Sequence, residues 1–96
     1  MEMRESFRAP FLEMAWKRHS RIAELVRGAA EATELRSAAS ELHCLSGEAA
    51  MLAFSQVADI ARDAEVAAKE GNTERVRALV MTLADAIKGV AEEGRR

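Results

Sequence analysis

The amino-acid sequence predicts an all-α protein, an antiparallel up-down-up-down bundle of four helices. Its 96 residues are 49% hydrophobic, rich in alanine and leucine, with one proline, three phenylalanines, one tryptophan and no tyrosine. This composition is typical of helices. Apolar residues recur at steps of three and four in four segments, as on the buried face of a helix. The three connections are short, and short connections place consecutive helices side by side in opposite directions.

We expect the first helix over about residues 6–30, with Ser6 as its N-cap. Pro10 would then fall close to the first turn, where a missing N–H costs little. The second helix is expected over about residues 34–53, with Thr33 as its N-cap. The apolar stripe of this second helix follows the helical spacing and comprises Leu35, Ala38, Leu42, Leu45, Ala49 and Leu52.

The third helix is expected over about residues 55–70 and the fourth over about residues 73–92. Ser55 and Thr73 are the expected N-caps, because their hydroxyl oxygens can accept a hydrogen bond from a free N–H of the first turn. Between these helices, Gly71-Asn72 is a strong helix-stop signal. Residues 1–96 are therefore expected to form one domain with a single core.

Composition also limits the partners. The net charge is −2 and no basic block occurs, so a nucleic-acid partner has no electrostatic support. No apolar run approaches ~18 residues, so no membrane-spanning segment is predicted, and no signal-peptide pattern opens the chain. Cys44 is the lone cysteine and cannot form an internal disulfide, which suits a reducing cytoplasm. We expect a cytoplasmic monomer.

The second helix carries an unusual surface around His43. This histidine lies about 130° from the centre of the apolar stripe and is predicted to face water. The residues that flank it at helical neighbour spacing are small: Ala39, Ser40, Ser46, Gly47 and Ala50. Exposed helix faces usually carry Lys, Glu and Arg. The small side chains predict an imidazole that a large partner can approach, with Ala39, Ser40, Gly47 and Ala50 as the docking residues.

The segment His43-Cys44-Leu45-Ser46-Gly47-Glu48-Ala49 resembles the signature H-x-L-K-G-x-A of the histidine phosphotransfer (HPt) family. The resemblance extends over about residues 7–92. It implies a four-helix phosphorelay intermediate in which His43 accepts a phosphoryl group from a receiver-domain aspartate or a histidine kinase and passes it on. It implies no ATP-dependent kinase activity and no cofactor or metal on this chain, since the partner receiver domain brings Mg²⁺.

Two further site residues follow from the resemblance. In the chemotaxis-kinase version of the family, a glutamate 22 residues after the histidine orients the imidazole. Glu65 stands at that separation, and a turn near Phe54 would bring it level with His43. Ser46 replaces the family's lysine, so it offers the phosphoryl group a hydrogen bond but no charge. Cations of the first helix could substitute for this lysine: Lys17, Arg18 and Arg21.

Other interpretations stay open. Because Ser46 stands where the family has a lysine, a second interpretation remains, an HPt-like docking or dimerisation module without phosphotransfer. A metal site formed by His19, His43 and Glu65 is conceivable, although a half-buried packing role is the simpler interpretation of His19. Cys44 points about 100° away from His43 and is expected to be a bystander near the surface.

Overall fold

The computed structural model describes residues 3–28 and 30–94. Within these ranges the chain forms four α-helices and no strand: α1 Met3–Leu25, α2 Ala32–Met51, α3 Ser55–Lys69 and α4 Thr73–Glu93. Each helix packs against the next, and α1 also packs against α4, so the helices close into an antiparallel bundle. The predicted fold class is confirmed. Among the described residues, no helix combines the length and the apolarity that a membrane crossing requires.

The apolar stripe of α2 lies in the core, as its spacing predicts. All members of the predicted α2 stripe are buried except Leu52, which is half-buried. Phe11 of α1 packs on Phe54 with ring centroids 4.9 Å apart, at the end of the bundle where α2 turns into α3. Burial of this stripe fixes the rotation of α2 about its axis, and the opposite face of α2 is left on the surface.

The first helix is displaced relative to the prediction, beginning at Met3 and ending at Leu25. Ser6 therefore lies inside the helix and is not its N-cap, and Pro10 lies beyond the first turn. The early start is held by Arg8, whose Nη1 donates to the Val90 carbonyl of α4 at 2.9 Å. The early end has a local cause, since Gly28 adopts a left-handed φ of 69°, which helices do not continue through.

The N-cap of α2 is Glu31 and not Thr33. Glu34 accepts a hydrogen bond from the Glu31 backbone N–H at 2.9 Å, as in a capping box. Glutamate is an uncommon N-cap, so the sequence favours Thr33, although Glu34 stands at the capping-box spacing from Glu31.

The two later N-caps also lie one residue before the predicted ones. Phe54 precedes α3 and makes no side-chain cap, so the predicted role of Ser55 is wrong. Asn72 caps α4 in place of Thr73, and its Oδ1 accepts a hydrogen bond from the backbone N–H of Arg75 at 3.2 Å. The predicted stop before α4 is confirmed, with Gly71 at a left-handed φ of 76°.

A cluster of ion pairs joins α1 to α2 on one flank of the bundle. Arg18 contacts Glu41 at 2.7 Å and Glu48 at 3.0 Å, and Arg21 contacts the second oxygen of Glu41 at 2.6 Å. Burial alone would raise the pKa of Glu41, but the hydrogen bonds and charges of the two arginines outweigh it, so the pKa is lowered. The carboxylate is thus ionised at neutral pH and holds α1 in place beside α2.

Replacement of Glu41 by alanine should lower the free energy of unfolding by about 1–3 kcal/mol at pH 7, because it removes charged hydrogen bonds that are largely shielded from water. A glutamate with a lowered folded-state pKa stabilises the fold above its unfolded pKa of about 4.3, and this stabilisation is lost as the pH falls through the folded value. Urea titrations at pH 7 and pH 3 should therefore show a smaller difference between variant and parent at pH 3.

Glu13→Ala provides the matched control. Glu13 pairs with Lys17 at 3.4 Å, and both side chains are well exposed. Its removal should change the free energy of unfolding by less than about 0.5 kcal/mol. Equal effects of the Glu13 and Glu41 substitutions would show that the α1–α2 cluster contributes no more than a surface pair.

Candidate functional site

His43 lies near the middle of α2 on the face that no other helix covers. Its side chain is 76% exposed, which confirms the predicted orientation. Gly47, one turn further along, is also exposed, and a Cβ placed there would have no atom within 4 Å. Ser40 and Ala50 are exposed as predicted, but Ala39 is buried. Ala39 therefore belongs to the wall of the bundle rather than to the open surface around the imidazole.

The imidazole is held by a carboxylate from the neighbouring helix. The antiparallel α2–α3 hairpin brings Glu65 level with His43, and Nδ1 lies 3.2 Å from Glu65 Oε2. An ionised carboxylate can only accept hydrogen bonds, so Nδ1–H is the donor. The neutral ring then carries its free lone pair on Nε2. This contact leaves the nucleophilic nitrogen on the solvent side.

Glu65 is the buried charge of the site. Its burial alone would raise the pKa of the carboxyl, but the hydrogen bond and charge of Lys69, followed by those of His43, lower it. The Lys69 ammonium lies 2.9 Å from Oε2, the same oxygen that accepts from His43. The sequence did not predict Lys69 as a residue of the site. The four-residue spacing of Glu65 and Lys69, which makes them neighbours on one helix face, was the available signal.

A model of a known protein family matches the sequence. This family, described as the Hpt domain, matches residues 6–93, nearly the whole chain. The match spans all the elements that form the site, including the α2 segment with His43 and the α3 segment with Glu65.

The chain belongs to the Hpt domain family. Hpt domains mediate histidine phosphotransfer in phosphorelays and interact with receiver domains and kinases. No curated protein and no solved structure matches the chain significantly. The family is thus established by its sequence model, and the residues that act in this member have to be argued from its own geometry.

This Hpt domain has no lysine at position 46, and Ser46 does not take an exposed position in its place. Ser46 is 7% exposed, and its hydroxyl donates to the His43 backbone carbonyl at 2.9 Å. Ser46 is thus buried and not part of the open face around His43, because residue 46 lies on the flank of α2 that turns into the bundle. A contact between Ser46 and a phosphoryl group stays a prediction, and it would require the hydroxyl to leave this bond.

The cations predicted to replace the lysine are engaged elsewhere. Arg18 and Arg21 contact Glu41 on the α1 flank, while Glu65 approaches His43 from α3. Lys17 pairs with Glu13 along α1. The sequence does not show which of these cations faces His43, because that depends on which side of α2 each neighbouring helix packs.

A groove of about 850 Å³ runs between α2 and α3, beginning at His43. Besides His43 and Glu65, the residues that line it are Ala32, Leu35, Arg36, Ala39, Ser40, Cys44, Ala68, Lys69 and Gly71. Cys44 is exposed, as expected of a bystander near the surface. The groove extends the open surface around the imidazole towards the start of α2.

The conceivable metal site does not form. His19 Nε2 lies 2.9 Å from the Val80 carbonyl, and its ring meets Trp16 edge-on at 5.6 Å. This histidine thus packs half-buried between α1 and α4, away from His43. Within residues 3–28 and 30–94, no three His, Cys, Asp or Glu side chains cluster as metal ligands would.

Proposed function

We propose that this Hpt domain is the phosphocarrier of a two-component phosphorelay and holds the phosphoryl group on His43. The observation that carries the proposal is the hydrogen bond from His43 Nδ1 to Glu65 on an imidazole that is otherwise exposed. An exposed histidine alone is commonplace. One whose inner nitrogen is held by a buried carboxylate presents its other nitrogen as a nucleophile.

The reaction follows from the placement of the proton. The Nε2 lone pair attacks the phosphorus of an aspartyl phosphate on a receiver domain, so that an N–P bond forms as the P–O bond breaks. The receiver aspartate leaves as a carboxylate. The proton on Nδ1 stays where it is, and the phosphorylated ring gains a positive charge that the Glu65 carboxylate stabilises. Transfer to a second receiver reverses these steps.

The partner in this proposal is a response-regulator receiver domain, a histidine kinase, or both in turn. Phosphoryl transfer depends on in-line access and charge neutralisation, so the partner must approach the imidazole closely. Ser40, Gly47 and Ala50 provide short side chains around it. Mg²⁺ would be supplied by the receiver and ATP chemistry by the kinase. We place the domain in the cytoplasm as a monomer, where the Cys44 thiol stays reduced.

The experiment is incubation of the purified protein with phosphorylated receiver domains in the presence of Mg²⁺. We expect the label to move to the Hpt domain and, from it, to a second receiver. The competing interpretation, a docking module, predicts receiver binding without transfer. If phosphorylated receivers and kinases from a panel bind the Hpt domain but none of them transfers label to it, that interpretation is favoured.

Replacement of Glu65 by alanine should slow transfer by up to about 100-fold without abolishing it. Orienting and acid–base contacts contribute ~10²–10⁴-fold, and this partly exposed pair should lie at or below the low end. Glu65→Gln is the matched control, because its amide oxygen can still accept from Nδ1–H but carries no charge. An intermediate rate for glutamine would separate orientation from charge, and parent-like rates for both variants would remove Glu65 from the site.

A further inference from the structure

We propose that Lys69 is a movable cation that leaves Glu65 and contacts the oxygens of the phosphoryl group when His43 is phosphorylated. It would thereby supply, from α3, the positive charge that the family's lysine supplies from α2. This inference rests on the phosphocarrier function proposed above. It assigns a role to a residue that the signature of the family does not include.

The position of Lys69 favours this role. Its ammonium and His43 Nδ1 share one acceptor atom, Glu65 Oε2, at 2.9 and 3.2 Å. The cation thus lies directly beside the ring that would carry the phosphoryl group. The chain of four methylenes is flexible and the side chain is 66% exposed, so the ammonium can change partners without moving the helix.

The other cations near α2 are held away from the imidazole. Arg18 and Arg21 are bound by the carboxylates of the α1 flank. Arg36 lines the same groove as Lys69, but it precedes His43 by two helical turns, about 10 Å along the axis. Among the described cations, Lys69 alone shares a contact with the imidazole.

The charge of a phosphoryl group on His43 would also draw Lys69 towards it. A phosphoryl group on Nε2 brings negative oxygens close to the Glu65 carboxylate, which attracts the phosphorylated ring but repels those oxygens. The transition state spreads charge over the three equatorial oxygens, so a nearby cation lowers the barrier in both directions. Small residues in the groove beside Lys69, including Ala39, Ser40 and Ala68, leave space for the ammonium to move.

The test measures transfer from a phosphorylated receiver to the full chain at low salt. Lys69→Ala should slow transfer about fivefold, the factor that corresponds to an exposed charge contact, and 0.5 M salt should reduce the difference. Lys69→Arg should retain most of the rate. Lys88→Ala is the matched control, since Lys88 is exposed on α4, which packs chiefly on α1 and α3, and should transfer as fast as the parent.

A second arm separates direct contact from an effect through Glu65. In a Glu65→Ala background, Lys69→Ala should still slow transfer, because the cation acts on the phosphoryl oxygens. Loss of the effect in that background would show that Lys69 only holds Glu65, and would overturn the inference. So would equal rates for Lys69→Ala and Lys88→Ala.

A third arm observes the cation itself. Phosphorylation of the parent should shift the NMR signals of the Lys69 side-chain methylene next to the ammonium and leave those of Lys88 unchanged. A phosphorylated parent with unshifted Lys69 signals would overturn this inference and leave the phosphocarrier function standing. A parent that accepts no label from any receiver or kinase would overturn both.

Discussion

Replacement of His43 by glutamine should abolish phosphorylation of the Hpt domain and leave its melting temperature and helical signal nearly unchanged. The nucleophile of the proposed site is the Nε2 lone pair of this imidazole. Its side chain is 76% exposed, so little packing is lost with it. The measurement is label transfer from a phosphorylated receiver, and the label on the parent should be labile in acid and stable in base, as phosphohistidine is.

His19→Gln is the control for this experiment. His19 is the other histidine of the chain, and it bonds to the Val80 carbonyl away from the site. This variant should lose some stability but accept phosphate on His43. If His43→Gln still takes up label, the assignment of the phosphoacceptor is wrong.

Replacement of Gly47 by glutamine should sharply reduce receiver binding and transfer while the bundle stays folded. Gly47 is exposed within α2 and has open space around it, so a longer side chain fits without a clash. That side chain would, however, project beside the imidazole where the partner must approach. The dissociation constant and transfer rate should be measured on the same samples as the melting temperature.

Gly47→Ala separates helix stability from access. Glycine inside a helix costs about 0.5–1 kcal/mol relative to alanine, so this variant should melt slightly higher and still transfer. Parent-like transfer by Gly47→Gln would show that the open face around His43 is not the docking surface. Unfolding of Gly47→Gln would contradict the exposed position of residue 47.

The parts of the site that follow from periodicity could be predicted from the sequence. The apolar stripe from Leu35 to Leu52 fixes which side of α2 is buried, and with it the exposure of His43 and Gly47. The position of Glu65 level with His43 follows from the short turn between the antiparallel helices α2 and α3. Its contact with the imidazole was expected only from the resemblance to the chemotaxis-kinase version of the family.

The rest depends on contacts between helices that the sequence pattern does not specify. The angle of Ser46 on the helix lies near the boundary of the stripe, so its burial depends on how closely α3 packs. The sequence predicted only cations of α1 in place of the lysine, and Lys69 became apparent once the flanks of α2 occupied by α1 and α3 were known. The N-caps of α2 and α3 were misplaced by two residues and one residue because Glu31 and Phe54 are not among the residues usually preferred there.

The most direct test of the account is the position of phosphorus on the imidazole ring. The parent protein, labelled with ¹⁵N in histidine and phosphorylated by a receiver, can be examined by NMR for coupling between ³¹P and each ring nitrogen. We predict a single phosphohistidine, His43, with phosphorus on Nε2 and the proton retained on Nδ1 beside Glu65. Phosphorus on Nδ1, or on any residue other than His43, would contradict it.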